Sequence, residues 1–329
     1  MIKQKKIMGQ SLSAFMSKYG IVVIFLGLCI IMSFVSPAFR SMRNLTNVIR
    51  QVSIIGILSI GVTFCIITGG IDLSSGSLIA FISVIVASLS QNVVNPNQPL
   101  SIVMPIAMSI ILALLLGALL GSVNGSLHAF GKIPPFIATL GMMTVARGAA
   151  ALVTAGRPVG DLKDTFTFIG TGKLFGLAIP IWVYLGVGVF AHILLSRTKF
   201  GRHVFAIGGN EQASRNCGID VEKTLVKVYA FAGLMSAISA ILLTARTSAG
   251  NPTYGLAYEL DAIAATVIGG TSLAGGVGSI PFCIIGALII GVLNNSMDLL
   301  SVNAYWQQIA KGVIIVVAVL IDARKQRRQ

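Results

Sequence analysis

Charged residues are scarce in this chain of 329 residues: they make up 10% of it, whereas 55% of the residues are hydrophobic. Such a composition leaves too little polar surface to cover a soluble globule, and the apolar runs are too long for a single core. The net charge of +14 would be compatible with nucleic-acid binding, but the basic residues lie between and beyond the apolar runs. Membrane topology explains that placement. The sequence therefore predicts an integral membrane protein that does not bind nucleic acid.

Residues for covalent or metal chemistry are also few. The chain has four widely separated cysteines without a CxxC pair, which argues against a disulfide framework or a metal site. The three histidines are scattered, without HExxH, and no serine stands in GxSxG. No catalytic or metal-binding residue is predicted. The four cysteines and three histidines are Cys29, Cys65, Cys217, Cys283, His128, His192 and His203.

The glycine-rich segments do not complete a nucleotide-binding motif. A phosphate loop needs GxxxxGK followed by Ser or Thr, but Gly172-Lys173 is followed by Leu174. The segment GGTSLAGGVGSI has Pro281 where the last glycine of GxGxxG should stand. The chain itself therefore lacks visible means to hydrolyse ATP.

Long apolar runs predict about ten transmembrane helices in an all-α polytopic protein, since a bilayer takes about 20 apolar residues per helix. The turn-forming segment 91–100 and the residues Lys132-Ile133-Pro134-Pro135 separate neighbouring helices. We expect the helices near 20–36, 47–68, 73–90, 101–129, 133–156, 177–195, 228–245, 258–275, 279–297 and 305–322.

The distribution of basic residues predicts the orientation. With both termini in the cytoplasm, fifteen basic residues lie on the cytoplasmic side and seven on the outer side, as expected when positive loops face inward. Arg40, Arg43 and Arg50, directly after the first helix, run against this rule. The cytoplasmic set is Lys3, Lys5, Lys6, Lys18, Lys132, Arg197, Lys199, Arg202, Arg215, Lys223, Lys227, Arg324, Lys325, Arg327 and Arg328.

Glycine patterns indicate close packing in one place and helix breaks in another. Gly117, Gly121 and Gly125 recur every four residues, so another helix can approach that face; alternatively, the adjacent Asn124 lines a transport path. Five glycines between 269 and 278 predict a break in an apolar region, which is tolerated only where protein or water satisfies the backbone.

Three acids, Asp72, Glu259 and Asp261, stand at the edges of apolar runs beside such glycine-rich breaks. An ionisable group near the bilayer is a candidate for function because burying it unpaired is costly. A carboxylate at a helix start also serves as a simple cap, so a structural role remains open for Asp72. Arg147 is a plausible counter-ion on the helix that carries Thr139 and Thr144.

The charged segment 197–227 is the longest polar interruption between apolar runs, and 157–176 is the largest outer loop. Within the former, Asn210 suits an N-cap, Glu211 and Arg215 complement the helix dipole, and Gly218 suits a C-terminal stop. These signals predict a helix over 211–217. Because so short a helix is marginal alone, either its own loop or a cytoplasmic partner must order it.

Five blocks of the sequence, in order, resemble the permease subunits of ATP-binding-cassette importers for simple sugars of the ribose, xylose and galactose type. The resemblance covers essentially the whole chain. The blocks are GGIDLSSGS at 69–77, PFIATLGMMTVARG at 135–148, TKFGRHVFAIGGNEQASRNCGIDV at 198–221, YELDAIAATVIGGTSLAGGVGSI at 258–280 and the pair NN at 294–295.

The resemblance implies a permease in the bacterial inner membrane, usually a homodimer, with a cytoplasmic ATP-binding subunit below it and a periplasmic sugar-binding protein above it. This chain would bind no cofactor, since ATP and Mg²⁺ belong to the partner. The family's coupling helix maps onto 210–218, and its translocation path is expected around eight polar or aromatic positions. The coupling residues are Asn210, Glu211, Ser214, Arg215 and Gly218; the path residues are Asp72, Asn124, Phe136, Thr139, Arg147, Glu259, Asp261 and Asn294.

We therefore interpret residues 1–329 as a single transmembrane permease domain that moves a monosaccharide when ATP turnover in a partner drives it. Two alternatives differ in class. One is a self-contained proton-coupled secondary transporter, with Asp72, Glu259 or Asp261 as its proton site. The other is a membrane enzyme, which would need a clustered nucleophile or metal set that the sequence lacks. The particular sugar cannot be deduced from this chain.

Overall fold

The computed structural model of the chain describes residues 20–96 and 98–326. The predicted cytoplasmic placement of the basic residues before 20 and after 326 lies outside this part. The described elements are α1 (Gly20–Val35), a short 3-10 helix (Pro37–Arg40), α2 (Met42–Ile67), α3 (Ser75–Leu89), α4 (Ile106–Ala129), α5 (Pro135–Thr154), α6 (Asp164–Thr171), β1 (Lys173–Leu174), β2 (Leu177–Ala178), α7 (Ile179–Arg197), α8 (Lys199–Gly209), α9 (Glu211–Asn216), α10 (Val221–Thr247), α11 (Tyr258–Ile268), α12 (Ile280–Leu299) and α13 (Ala304–Gln326).

Two long apolar helices, α2 and α10, form the centre of the molecule. In each, 83% of the most apolar window is buried, compared with 22% in α4 and in α5. Among the described residues, six helices are long and apolar enough to cross a membrane: α2, α4, α5, α7, α10 and α12. Shorter apolar helices are Gly20–Val35, Ser75–Leu89 and Ala304–Leu320. The prediction of an all-α polytopic membrane protein is confirmed.

The bundle has two ends, which α7 joins directly. At one end lies an antiparallel hairpin of two short strands, β1 and β2, with two residues each, and we call this the hairpin end. At the other end, α8 and α9 follow α7 within the segment 197–227, and we call this the loop end. Since a helix rises about 1.5 Å per residue, the 19 residues of α7 separate the two ends by roughly 28 Å.

The glycine face of α4 packs against α10, as one of the two sequence hypotheses predicts. A Cβ on Gly117 would collide with the backbone of Gly233, and a Cβ on Gly121 would collide with the backbone of Tyr229. Gly125 is likewise pressed against α10. These contacts bring the two helix backbones together along three turns of α4.

The predicted helix 258–275 is wrong at its C-terminal end. α11 ends at Ile268, and the chain from Gly269 to Ser279 is irregular, with positive φ at Gly270, Gly275 and Gly276. Glycine adopts such φ values without steric cost, whereas a helix cannot contain them. At 11 residues, α11 is about 16 Å long and too short to cross a bilayer.

Two spans are partly non-helical, and they meet inside the bundle. α3 begins only at Ser75, after an irregular segment from 68 to 74, and α11 follows an irregular segment from 248 to 257. Gly250 pairs with Val159 at the hairpin end, whereas Gly255 lies directly against Gly76 in the first turn of α3. The N-termini of α3 and α11 therefore come close together within the bundle.

The segment 197–227 is more helical than predicted. The sequence signals predicted one short helix at 211–217, and the structure has α9 there, ending at Asn216. It also has α8, which the sequence interpretation missed, and α10 begins at Val221 rather than near 228. Thr198 accepts a hydrogen bond from the Gly201 N–H at 3.2 Å, and the Asp220 carboxylate accepts one from the Lys223 N–H at 3.0 Å, so each helix start is capped.

Candidate functional site

The α9 helix at the loop end forms as its cap residues predict. The Asn210 side chain accepts a hydrogen bond from the Ala213 N–H at 2.8 Å. Gly218, with φ of +79°, ends the helix in the left-handed conformation that favours glycine. Ser214 is buried, and its hydroxyl donates to the Asn210 carbonyl at 2.8 Å. Most of the remaining surface of α9 is exposed.

Ion pairs hold α9 against the start of α10. Arg215 pairs with Glu211 at 2.8 Å and also with Glu222 in the first turn of α10. The hydrogen bonds that Arg215 donates to these two carboxylates, the one to Glu222 first, raise the pKa of Arg215 above its usual range. The hydrogen bond from Lys223 lowers the pKa of Asp220 in the same turn. α9 is thus ordered by its own loop, one of the two alternatives, while its outer face stays uncovered.

A groove of about 540 Å³ lies beside α9 at the loop end. It runs between α9, the first turns of α10 and the turn that joins α4 to α5. Both charge signs are present, so a partner surface of mixed charge fits it better than a uniformly charged one. The lining residues are His128, Ala129, Lys132, Ile133, Pro134, Glu211, Arg215, Glu222 and Leu225.

α8 connects this loop to the interior of the bundle. Its end at Gly208 is so close to the Ile67 carbonyl and the Gly276 N–H that a Cβ there would collide with both. The Gly276 N–H itself donates to the Ile67 carbonyl at 2.9 Å. The end of α8, the end of α2 and the glycine-rich break after α11 therefore share one backbone junction, which we call the glycine junction.

The first group of predicted path residues lies beside the N-terminus of α3. Asp72 is 1% exposed and accepts hydrogen bonds from the Ser74 N–H at 2.8 Å and the Ser74 hydroxyl at 2.6 Å. The Asn124 amide donates to the same hydroxyl at 2.9 Å. Thr139 is buried and donates to the Ile71 carbonyl at 3.1 Å. Asp72, Asn124 and Thr139 thus lie in one enclosed polar cluster.

Several polar atoms near this cluster have no hydrogen-bond partner among the residues that the structure describes. They are buried hydroxyl or amide oxygens on α3, α4 and α10, and leaving such groups unpaired costs free energy. A molecule with several hydroxyl groups could satisfy both donors and acceptors of this kind. The atoms are Ser75 Oγ, Ser77 Oγ, Asn124 Oδ1 and Tyr229 Oη.

The second group surrounds Asp261 in the first turn of α11. Asp261 is 2% exposed, and Lys311 of α13 forms an ion pair with it at 2.9 Å. The Asn294 amide of α12 reaches the same carboxylate oxygen at 3.4 Å. The sequence interpretation did not assign Lys311 a role, although a lysine within an apolar span is itself a signal that an acid lies nearby.

Arg147 and Glu259 lie between these two groups. Arg147 donates two hydrogen bonds, to the carbonyls of Pro252 at 2.9 Å and Tyr254 at 2.8 Å, and so ties α5 to the irregular segment before α11. Glu259 reaches the first turn of α3 at Gly76, and its Oε2 atom has no hydrogen-bond partner in the described part of the chain. Phe136, by contrast, is 49% exposed near the start of α5.

Comparison with known proteins places the chain in a family. Residues 44–319 match the family model described as "Branched-chain amino acid transport system / permease component". The chain is 45% identical over 306 residues to the ribose import permease protein RbsC of Bacillus subtilis, with 92% of each protein covered. It is 43% identical over 296 residues to RbsC of Haemophilus influenzae, covering 89% of this chain and 88% of that protein.

A third relative carries a different sugar in its name. The L-arabinose transport system permease protein AraH of Escherichia coli is 37% identical over 310 residues, covering 94% of this chain and 92% of the relative. No solved structure matches the chain. The match to the family model and the full-length relatives together show that the chain belongs to this family of transport-system permease components, as a permease subunit of the ABC sugar-importer type.

Proposed function

We propose that this chain forms the membrane pathway of an ATP-driven importer for a monosaccharide of the ribose class in the bacterial inner membrane. The observation that carries the proposal is the glycine junction, because it joins the exposed α9 region to the broken spans that surround the polar clusters. A movement imposed on the loop end is thereby transmitted to the intramembrane breaks. The high identity to proteins named for ribose import supports ribose as the first substrate to test.

In this proposal the chain crosses the membrane ten times, with the loop end in the cytoplasm. The six long helices, the three shorter apolar helices and α11 with its irregular flanking segments supply the crossings. The excess of basic residues on the loop-end side supports the orientation. Both termini are then cytoplasmic, and the hairpin end faces the periplasm.

The cytoplasmic partner is an ATP-binding subunit, which holds the ATP and Mg²⁺ that this chain does not bind. It engages Asn210, Glu211, Arg215 and Gly218 through the exposed face of α9 and the groove beside it, and the buried Ser214 supports that face from within. The ion pairs of Arg215 keep α9 formed before the partner arrives. Preformed contact elements lower the ordering cost of binding, which favours a stable complex.

The translocation path runs past the two polar clusters and along the uncovered face of α5. Phe136 and Thr144 lie exposed on that face, and a second copy of this chain closes the path opposite them in a homodimer. Asp72, Asn124, Thr139, Arg147, Glu259, Asp261 and Asn294 hold the broken helices around the path. The unpaired oxygens beside Asp72 become partners for sugar hydroxyl groups when the cluster opens.

The test is uptake of radiolabelled ribose into proteoliposomes that contain this chain with its ATP-binding subunit, in the presence of a ribose-binding protein. We expect uptake to require ATP at the side of the ATP-binding subunit and to be unaffected by a protonophore. Omission of the ATP-binding subunit should abolish it. Uptake by this chain alone, collapsed by the protonophore, would show a secondary transporter instead. Competition by unlabelled arabinose and galactose measures the range of sugars.

A further inference from the structure

A basic pocket of about 420 Å³ lies at the hairpin end. Positions 43, 46, 47 and 50 follow helical spacing, so these four residues share one face of the first turns of α2. Lys173 of the β1 strand closes the opposite side. The residues that line the pocket are Met42, Arg43, Thr46, Asn47, Arg50 and Lys173.

No acidic residue in the described part of the chain forms an ion pair with this pocket. The ion pairs among the described residues use Arg215, Lys223 and Lys311, so Arg43, Arg50 and Lys173 have none. The Arg50 Nε–H group is buried and has no acceptor within residues 20–96 and 98–326.

A fourth basic residue adds to the charge. Arg246, in the last turn of α10, lies close enough to Arg50 for the two charges to repel each other. An anion that enters the pocket would supply the missing acceptor for Arg50 and relieve this repulsion.

The pocket lies at an end of the bundle where positive charge is unusual. In the proposed orientation the pocket faces the periplasm, where basic residues near span ends run against the usual inward bias. Arginine is well suited to hold a carboxylate or a phosphate through two parallel hydrogen bonds. The pocket therefore has the chemistry of an anion site on the outer face.

The identity of the anion follows from which helices form the site. The first turns of α2 and Lys173 of β1 line the pocket, and both lie at the hairpin end. The site thus opens on the end of the bundle rather than on its lipid-facing flank. This position favours a protein carboxylate that approaches from the periplasm over a lipid headgroup, which approaches from the side.

We infer that the basic pocket is a docking site for an acidic side chain of the periplasmic sugar-binding protein, with Arg43 and Lys173 at its rim and Arg50 at its base. This inference rests on the proposed function, since it names a surface on which the delivering protein lands. Opposite charges across such a surface chiefly speed and orient the encounter, and they act less at high salt.

The experiment measures ATP hydrolysis by the complete importer in phosphatidylcholine vesicles as a function of the concentration of ribose-loaded ribose-binding protein. The variants are Arg43→Glu and Lys173→Glu, and the control is Arg157→Glu, an exposed charge reversal at the same end that does not line the pocket. We expect each pocket variant to raise the half-saturating concentration about tenfold, with the maximal rate retained, and the control to shift it less than about twofold.

Salt dependence gives a second measurement. Between about 50 mM and about 300 mM salt, the half-saturating concentration of the wild-type importer should rise, and Arg43→Gln should weaken that rise. If Arg43→Glu behaves like Arg157→Glu, the docking inference is wrong. A defect that appears only in vesicles containing phosphatidylglycerol would identify a lipid headgroup as the occupant. If the binding protein fails to stimulate the wild-type importer, the proposed function falls, and the docking inference falls with it.

Discussion

The Asp261–Lys311 ion pair is the most strongly buried charge interaction among the described residues. The Asp261 side chain is 3% exposed and that of Lys311 is 26% exposed, so both charges have given up much of their hydration. Such a pair contributes little net stability compared with apolar residues, yet breaking it leaves one buried charge uncompensated. Its position between α11 and α13 means that it fixes the short helix α11 against its neighbour.

Replacement of Asp261 by Asn should therefore destabilise the protein strongly, by about 3 kcal/mol, because Lys311 keeps its charge and loses its partner. The double variant Asp261→Asn with Lys311→Met should recover most of that loss, since no buried charge remains. Thermal unfolding in detergent measures both effects.

Asp298→Asn serves as the matched control, because Asp298 carries the same charge in an exposed position at the end of α12. It should change stability by less than about 1 kcal/mol. A double variant as unstable as the single one would mean that Asp261 acts through contacts other than Lys311.

For individual residues, the sequence predicts which acids are buried but not which residues they contact. The acids in apolar surroundings mark Asp72 and Asp261 as buried groups, because any charge near a bilayer is costly. Their partners are not readable in the same way. Lys311 is separated from Asp261 by 50 residues, and only the packing of α13 on α11 brings the two together. Periodicity and composition do not specify that packing.

Among the helices, the crossing of α4 and α10 depends most clearly on single atoms. Gly121 lies so close to the Tyr229 backbone that any side chain there must push the helices apart. Gly121→Ala should therefore cost about 1–3 kcal/mol through overpacking, even though alanine favours the helix intrinsically.

Gly141→Ala on α5 is the corresponding control, because a Cβ at Gly141 would have no described atom within 4 Å other than those of its chain neighbours and its own helix backbone. It should be neutral or slightly stabilising. Melting temperatures of the two purified variants in the same detergent decide the matter. Equal melting temperatures would show that the two helices are not in close contact at Gly121.

Sequence patterns predicted helices more reliably than the limits of broken helices. Apolar runs of membrane length gave the correct positions of α2, α4, α5, α7 and α12, because hydropathy alone determines such segments. The end of α11 was missed, since glycines signal a break without stating at which residue it starts. α8 was not predicted because charged residues interrupt its short apolar face, which Gly201, Val204 and Ile207 form.

For the whole molecule, the essential question is how an event at the loop end changes the interior of the bundle. The structure offers a short route: α9 follows α8, and α8 ends at the glycine junction with Ile67 and Gly276. Gly276 lies within the glycine-rich break that connects α11 to α12. Because backbone contacts without side chains transmit displacement stiffly, a shift of α8 must move the break or separate from it.

Gly208→Ala should therefore uncouple the importer. The added methyl group collides with the Ile67 carbonyl and the Gly276 N–H, so α8 must move away from the junction. The variant should still bind the ATP-binding subunit through α9, but ribose uptake should fall about tenfold or more while ATP hydrolysis no longer depends on the ribose-binding protein. Gly209→Ala provides the control at the next position and should transport normally, because apart from its own helix backbone and chain neighbours no described atom lies within 4 Å of a Cβ there. Co-purification, uptake and ATP hydrolysis are measured for both variants. Equal uptake by the two variants would show that the glycine junction is not part of the coupling route. Loss of the ATP-binding subunit from Gly208→Ala would mean that the junction supports docking rather than transmission.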